Sequence, residues 1–277
     1  MKTKAERLLI FEQDRIFIDI AYRGCGNGCK YCYVESAADK QELADYSDLD
    51  AVCDFILNWP LCKAPIISFC PRTEPFKSVE SARRVLYVMK QLTEYAYCFQ
   101  ISTKEEILPE SFEMLSECSK QKPIFINVSV PVLKTEILEP FAADLSARIK
   151  NFRELRKFPN FYGGLYIKPL FAEAISSVDR YIELAAICNP HYICAGVQFT
   201  KKIQNPCISL YDAGTAKDLL NEQKDGLFRF SAEIKRSVSC IVVYSSVCAI
   251  NQLLKKERCL TLWQYQPECC KSCELKR

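Results

Sequence analysis

A single histidine, His191, serves the whole 277-residue chain. That scarcity argues against a His-rich metal centre and against any nucleophilic triad that depends on imidazole, and His191 itself reads as structural. No apolar run approaches the roughly 20 residues needed to cross a bilayer, and the opening MKTKAERLLIFEQDR has neither an apolar h-region nor a small-residue cleavage site. A cytoplasmic protein with no membrane partner is therefore expected. Charge is nearly balanced at +3, and no basic stripe interleaved with aromatic residues marks a single-stranded nucleic-acid groove. Internal repeats and low-complexity tracts are missing too. With 49% hydrophobic and 26% charged residues the composition is that of a folded globular protein. Its length suits one large α/β core with a small appendage.

What the chain has in abundance is cysteine, seventeen in all. A disulfide framework belongs to small secreted chains, so metal ligation or plain burial explains these thiols better. Cys53, Cys188 and Cys194 sit in apolar stretches and read as small buried hydrophobes. Cys25, Cys29 and Cys32 are different. They fall within YRGCGNGCKYCY, residues 22–33, among three glycines that let a loop curl at φ > 0. Three thiolates from one loop suit a metal or cluster with an open coordination position. Structural zinc usually closes with two separated pairs of ligands, and no second pair stands beside this triplet. Iron–sulfur clusters are commonly held by four thiolates, so three would leave one iron free.

Strand-like and helix-like segments alternate around the triplet. Residues 15–23, 65–70, 96–103, 124–132, 164–171 and 193–199 read as strands rich in β-branched and aromatic residues. Residues 47–59, 78–92, 107–119, 141–158 and 177–188 read as helices, the clearest being 78–92, which Ser78 and Glu80 start. Six alternations imply a parallel sheet with crossover helices, a barrel or part of one. The triplet then follows the first strand, at the carboxyl end where such folds build their sites. Beyond residue 200 the pattern loosens into a loop, a helix near 214–223, a strand at 239–247 and a helix at 249–257. Residues 201–277 carry thirteen Lys or Arg against eight Asp or Glu, so the positive charge gathers at the C-terminal end.

Cys25, Cys29 and Cys32, with aromatic Tyr31 just before the third cysteine, resemble the signature of the radical S-adenosylmethionine (SAM) superfamily. FCPRTEPFKSVE (69–80), ISTKEEIL (101–108) and the blocks INVSVPV and EILEPFAADLSARIK within 126–150 resemble its spore photoproduct lyase-like branch. The resemblance implies an α/β fold: a radical SAM partial (βα)6 barrel over residues 1–200, with a small, basic, cysteine-rich C-terminal extension over 201–277. It implies a [4Fe–4S] cluster on Cys25, Cys29 and Cys32, and SAM cleaved reductively to methionine and a 5′-deoxyadenosyl radical that abstracts hydrogen from substrate. By the same match Lys104 meets the SAM carboxylate and Ser129 the ribose, with Tyr31, Glu74 and Arg148 as further cofactor-binding candidates. Cys70 lies near the position where the lyase carries a hydrogen-donating cysteine, which makes it the catalytic candidate. Lys168, at a strand end, is a weaker candidate for reaching the barrel.

Cys259, Cys269, Cys270 and Cys273 lie close together in the tail CLTLWQYQPECCKSCELKR, a set suited to a second Fe–S cluster or zinc. The resemblance implies an electron donor such as flavodoxin or ferredoxin. It offers two substrates: a lesion in DNA, or a peptide, since peptide-modifying enzymes often carry extra clusters on such extensions. A non-enzymatic zinc-binding module is the remaining reading.

Overall fold

The computed structural model describes residues 3–12, 15–32, 34, 41–59, 65–196 and 221–255. Two compact units divide the chain, residues 1–128 with 134–162, and residues 129–133 with 163–277. The boundary expected near residue 200 falls outside the described residues.

In the first unit, α1 (Lys4–Arg7) is started by a Thr3–Glu6 capping box. β1 (Leu9–Phe11) then pairs antiparallel with β2 (Arg15–Ile18). β3 (Ala21–Arg23) and β4 (Glu42–Leu43) form a separate two-stranded ribbon. From there strand and helix alternate through α2 (Tyr46–Leu57), β5 (Ile66–Phe69), α3 (Val79–Leu92), β6 (Cys98–Thr103), α4 (Pro109–Ser119) and β7 (Ile124–Ser129). α5 (Thr135–Leu138) and α6 (Leu145–Leu155) follow, and β8 (Phe161–Ile167) begins in this unit and ends in the next. The strands stand in the order β1-β2-β5-β6-β7, parallel from β2 onward. Successive right-handed crossovers in one direction put α2, α3 and α4 on one face of this sheet.

The sequence pattern accounts for these elements. Ser78 caps α3 by accepting from the Ser81 backbone N–H, and Ala82, Val85, Leu86 and Met89 are buried along one side of it. Asp144 does the same for α6 through Ala147, and Pro109 occupies the first turn of α4. Ile16, Ile18, Ile67, Phe99, Ile101, Ile126 and Val128 are fully buried and form the centre of the core.

The strand expected over 15–23 breaks at Asp19. Its carboxylate is buried and accepts from the Arg72 backbone N–H at 3.2 Å, the Arg72 guanidinium at 2.6 Å and the Thr73 hydroxyl at 3.1 Å. Those bonds tie the end of β2 to the turn after β5, while the Asp19 N–H still donates to the Leu8 carbonyl; beyond it Ala21–Arg23 pairs with Glu42–Leu43.

The second unit holds the rest of β8, α7 (Ala172–Ser176), α8 (Val178–Cys188), β9 (Tyr192–Ala195), α9 (Asn221–Ser237), β10 (Ile241–Val243) and α10 (Ser246–Leu253). β8, β9 and β10 run parallel in that order. Helix α9 extends well past the 214–223 expected for it. Leu227, Phe230 and Ile234 form its buried stripe, and Gly226 lets it approach α7, since a Cβ there would stand 2.5 Å from Ile175 Cδ1. His191 accepts a hydrogen bond at Nδ1 from the Gly163 backbone N–H at 3.0 Å. Among the described residues, no helix is long and apolar enough to cross a membrane.

Candidate functional site

The cysteine loop follows the β3 ribbon strand. Gly24, Gly26 and Gly28 have φ of 68°, 71° and 60°, so the loop curls through the left-handed region at every second residue. Cys25, Cys29 and Cys32 are half-buried free thiols, and the Cys32 N–H donates to the Cys29 carbonyl at 3.0 Å, closing a turn between them. Burial is the main cause that raises the Cys25 and Cys29 thiols above their ordinary range, Cys29 to about 11, while the nearby Lys104 ammonium pulls the other way.

Two buried carboxylates flank the loop. On one side Glu74, 3% exposed, accepts from Asn27 Nδ2 at 3.3 Å, the Lys104 backbone N–H at 3.0 Å, the Phe76 N–H at 3.3 Å and the Thr103 hydroxyl. It ties the middle of the cysteine loop to the end of β6. Burial, reinforced by the Glu105 charge, pushes its acid up to about 7. On the other side Glu139, 1% exposed, takes the Tyr31 hydroxyl on Oε1. Arg148 Nη1, wholly buried on α6, stands 2.6 Å from its Oε2, and Lys104 Nζ lies 3.9 Å from Oε1. Lys104 Nζ also sits 5.7 Å from the centre of the Tyr31 ring, within cation–π range. Burial first and Glu139 second push the Tyr31 phenol far above its usual range, so it stays a protonated donor.

Of the candidates named from sequence, Tyr31, Lys104 and Arg148 thus meet at one carboxylate, and Glu74 reaches the same region through the Lys104 backbone. Cys70 ends β5, 4% exposed, with φ of 57° and its N–H donating to the Ile18 carbonyl at 2.8 Å. Burial first and the Asp19 charge second keep its thiol well above the ordinary range, hence protonated. Ser129 is buried at the end of β7 and belongs to the second unit, as does Lys168, whose aliphatic chain covers Gly196. Cys259, Cys269, Cys270 and Cys273 lie outside the described residues. Glu139 was not singled out from the sequence, although it lies in the quoted EILEP block. The sequence signal for it is an acid next to a proline, ahead of a helix that carries Arg148. Asn27 was missed as well; its Oδ1 is buried and accepts no hydrogen bond among the described residues.

The parallel sheet with crossover helices, and a cysteine loop after the first parallel strand, define the class: the fold is that of the radical SAM partial barrel. Among solved structures, a spore photoproduct lyase variant with bound AdoMet and dinucleoside spore photoproduct matches at a TM-score of 0.59 and 13% identity, over 83% of this chain and 76% of its own. SuiB of Streptococcus suis, bound to precursor peptide SuiA, matches at 0.54 and 11%, over 90% of this chain and 53% of its own. anSMEcpe, with bound AdoMet and a peptide, matches at 0.54 and 15%, over 86% and 65%. At these identities the likeness is one of fold. No protein-family model and no curated protein matches the chain.

The donor set fits a cluster of the kind the fold implies. Three thiols of one loop stand with a cation beside them, half-buried where ligation is shielded but reachable. As they stand, no three His, Cys, Asp or Glu side chains among the described residues form a closed metal-holding group. Metal binding by these thiols would require them to lose their protons and draw together.

Proposed function

We propose that the chain is a radical SAM enzyme that holds a [4Fe–4S] cluster on Cys25, Cys29 and Cys32 and binds SAM beside it. The observation that carries this reading is the three-thiol loop with Lys104 Nζ 5.7 Å from the ring of its Tyr31, on a fold shared with structures that contain bound AdoMet. When bound and reduced, such a cluster supplies the electron that splits the SAM sulfonium into methionine and a 5′-deoxyadenosyl radical. The protein's own part is orientation and exclusion of water. Lys104 offers its ammonium to the SAM carboxylate, Tyr31 presents a ring held at its hydroxyl, and Glu74 and Arg148 complete the polar surround. The electron comes from a small donor such as flavodoxin or ferredoxin in a reducing cytoplasm.

For the substrate, the lead reading is a DNA lesion, as the spore photoproduct lyase-like blocks suggest. Cys70 supports it chemically, because a buried thiol kept protonated retains the weak S–H bond that returns a hydrogen atom to a product radical. A peptide substrate, with a second cluster or zinc on Cys259, Cys269, Cys270 and Cys273, is supported by the two peptide-bound structures of the same fold.

Anaerobic reconstitution with iron and sulfide, reduction with dithionite and chromatographic assay of 5′-deoxyadenosine test the reading. The expected result is deoxyadenosine that disappears in Cys29→Ala. A colourless zinc protein that makes none overturns it in favour of a non-enzymatic binding module. Stimulation by a dinucleoside lesion favours repair; extra iron lost on mutating the tail cysteines favours a peptide.

A further inference from the structure

The segment 135–141 lies across the cysteine loop like a strap. The Lys30 N–H donates to the Leu138 carbonyl at 2.9 Å, and the Phe141 N–H donates to the Asn27 carbonyl at 3.3 Å. Gly28 lies beneath Phe141 so closely that a Cβ there would come within 2.7 Å of the ring. At the centre of the strap stands Glu139, whose buried carboxylate touches the Tyr31 hydroxyl, Arg148 of α6 and Lys104 at the end of β6.

We propose that Glu139 is a positioning residue of the SAM site, fixing Tyr31, and with it the turn between Cys29 and Cys32, relative to Lys104 before any cofactor arrives. This deepens the reading above and rests on it. Arg148 meets Oε2 as an ion pair without a hydrogen bond, so the hydrogen bond that fixes the carboxylate is the one Oε1 accepts from Tyr31. At 3.9 Å the Lys104 ammonium is tethered electrostatically rather than hydrogen-bonded, so Glu139 aims it without consuming its donors. Holding an aromatic ring and a long cationic chain in place in advance removes part of the ordering cost that SAM binding would otherwise bear. Leu138 and Phe141 extend the same hold to the loop backbone at Lys30 and Asn27, just ahead of Tyr31.

The test begins with the metal-free protein, where it does not depend on cofactor chemistry. Alkylation of each loop thiol by iodoacetamide is followed by mass spectrometry in wild type, Tyr31→Phe, Glu139→Ala and Glu139→Gln. Tyr31→Phe removes only the hydroxyl, a hydrogen bond to a charged group, and is expected to speed alkylation of Cys29 and Cys32 about tenfold, with Cys25, held on the Asn27 side, unchanged. Glu139→Ala is expected to do the same. Glu139→Gln keeps an oxygen for Tyr31 and is expected to restore slow alkylation, although Arg148 has lost its counter-charge. In reconstituted protein, Tyr31→Phe is expected to weaken SAM binding, measured by equilibrium dialysis, by about tenfold. The proposal is overturned if Tyr31→Phe leaves alkylation and SAM affinity at wild-type values, if Gln is as damaging as Ala, or if the loop loosens while SAM affinity stays the same. If Glu139→Ala does not fold, Tyr31→Phe decides alone. A wild type that binds no SAM sinks the proposed function, and the alkylation pattern still reports whether the strap holds the loop.

Discussion

Glu74 and Glu139 are the same residue, equally buried and equally close to the cysteine loop, yet the protein compensates them in opposite ways. Glu74, in the turn after β5, meets neutral donors: the Asn27 amide, the Thr103 hydroxyl and the Lys104 and Phe76 backbone N–H groups. Glu139, in the strap, meets the Arg148 guanidinium, the Lys104 ammonium and the Tyr31 phenol. Neutral donors do not cancel a charge, so burial wins at Glu74 and its acid rises to about 7. A guanidinium in contact does cancel one, at the cost that neither partner tolerates loss of the other. One side of the loop is therefore anchored by a group that titrates near neutrality, and the other by a buried ion pair.

The largest effect that would break this comparison comes from the ion pair. Glu139→Ala leaves Arg148 buried and uncompensated, and is expected to cost about 3–5 kcal/mol in urea unfolding; Glu139→Gln with Arg148→Met in one chain is expected to recover most of that loss. Glu74→Gln sharpens the contrast through pH. In wild type the folded protein holds the Glu74 proton up to about pH 7, whereas the unfolded chain releases it near its ordinary value. The native state thus binds more protons in that interval, and this group's contribution to stability falls as pH rises through it. Urea midpoints measured across that range are expected to vary less with pH in Glu74→Gln; an unchanged slope would show that the acid is not raised. Gly28→Ala comes next, at about 1–2 kcal/mol, because an L residue at φ 60° is strained and its Cβ would press on Phe141. Phe141 is 65% exposed and its ring can turn aside, which keeps the cost at the strain of the backbone. The smallest effect is the control: Lys150→Ala breaks an exposed pair with Glu106 and is expected to change stability by less than about 0.5 kcal/mol.

The fold was largely legible because its signals are local. Alternating apolar runs placed the β2, β5, β6, β7, β8 and β9 strands, and Ser78 with the apolar spacing behind it placed α3. Where local signals conflicted with distant partners, the reading failed. RIFIDIAYR is apolar enough to run straight, but it bends at Asp19, whose carboxylate is held by Arg72 and Thr73, 53 and 54 residues further on. The helix expected near 214–223 stops short of Gly226, whereas α9 runs through that glycine, which packs against Ile175 of α7, to Ser237. Within the candidate site, the triplet spacing drew attention to Cys25, Cys29 and Cys32, and resemblance added Tyr31, Lys104 and Arg148. Glu139 escaped notice because the residue it holds is 108 positions away.

By itself, then, the sequence determined the alternation of strand and helix, the curl of the glycine-rich loop and the spacing of its thiols, since these follow from backbone preference and from residues a few positions apart. Tertiary structure alone decided which charges meet. Burying Glu139 and Arg148 becomes tolerable only once α5, α6 and the cysteine loop are brought together, because a buried charge is stabilised by the partner that arrives with the fold and not by its neighbours in the chain.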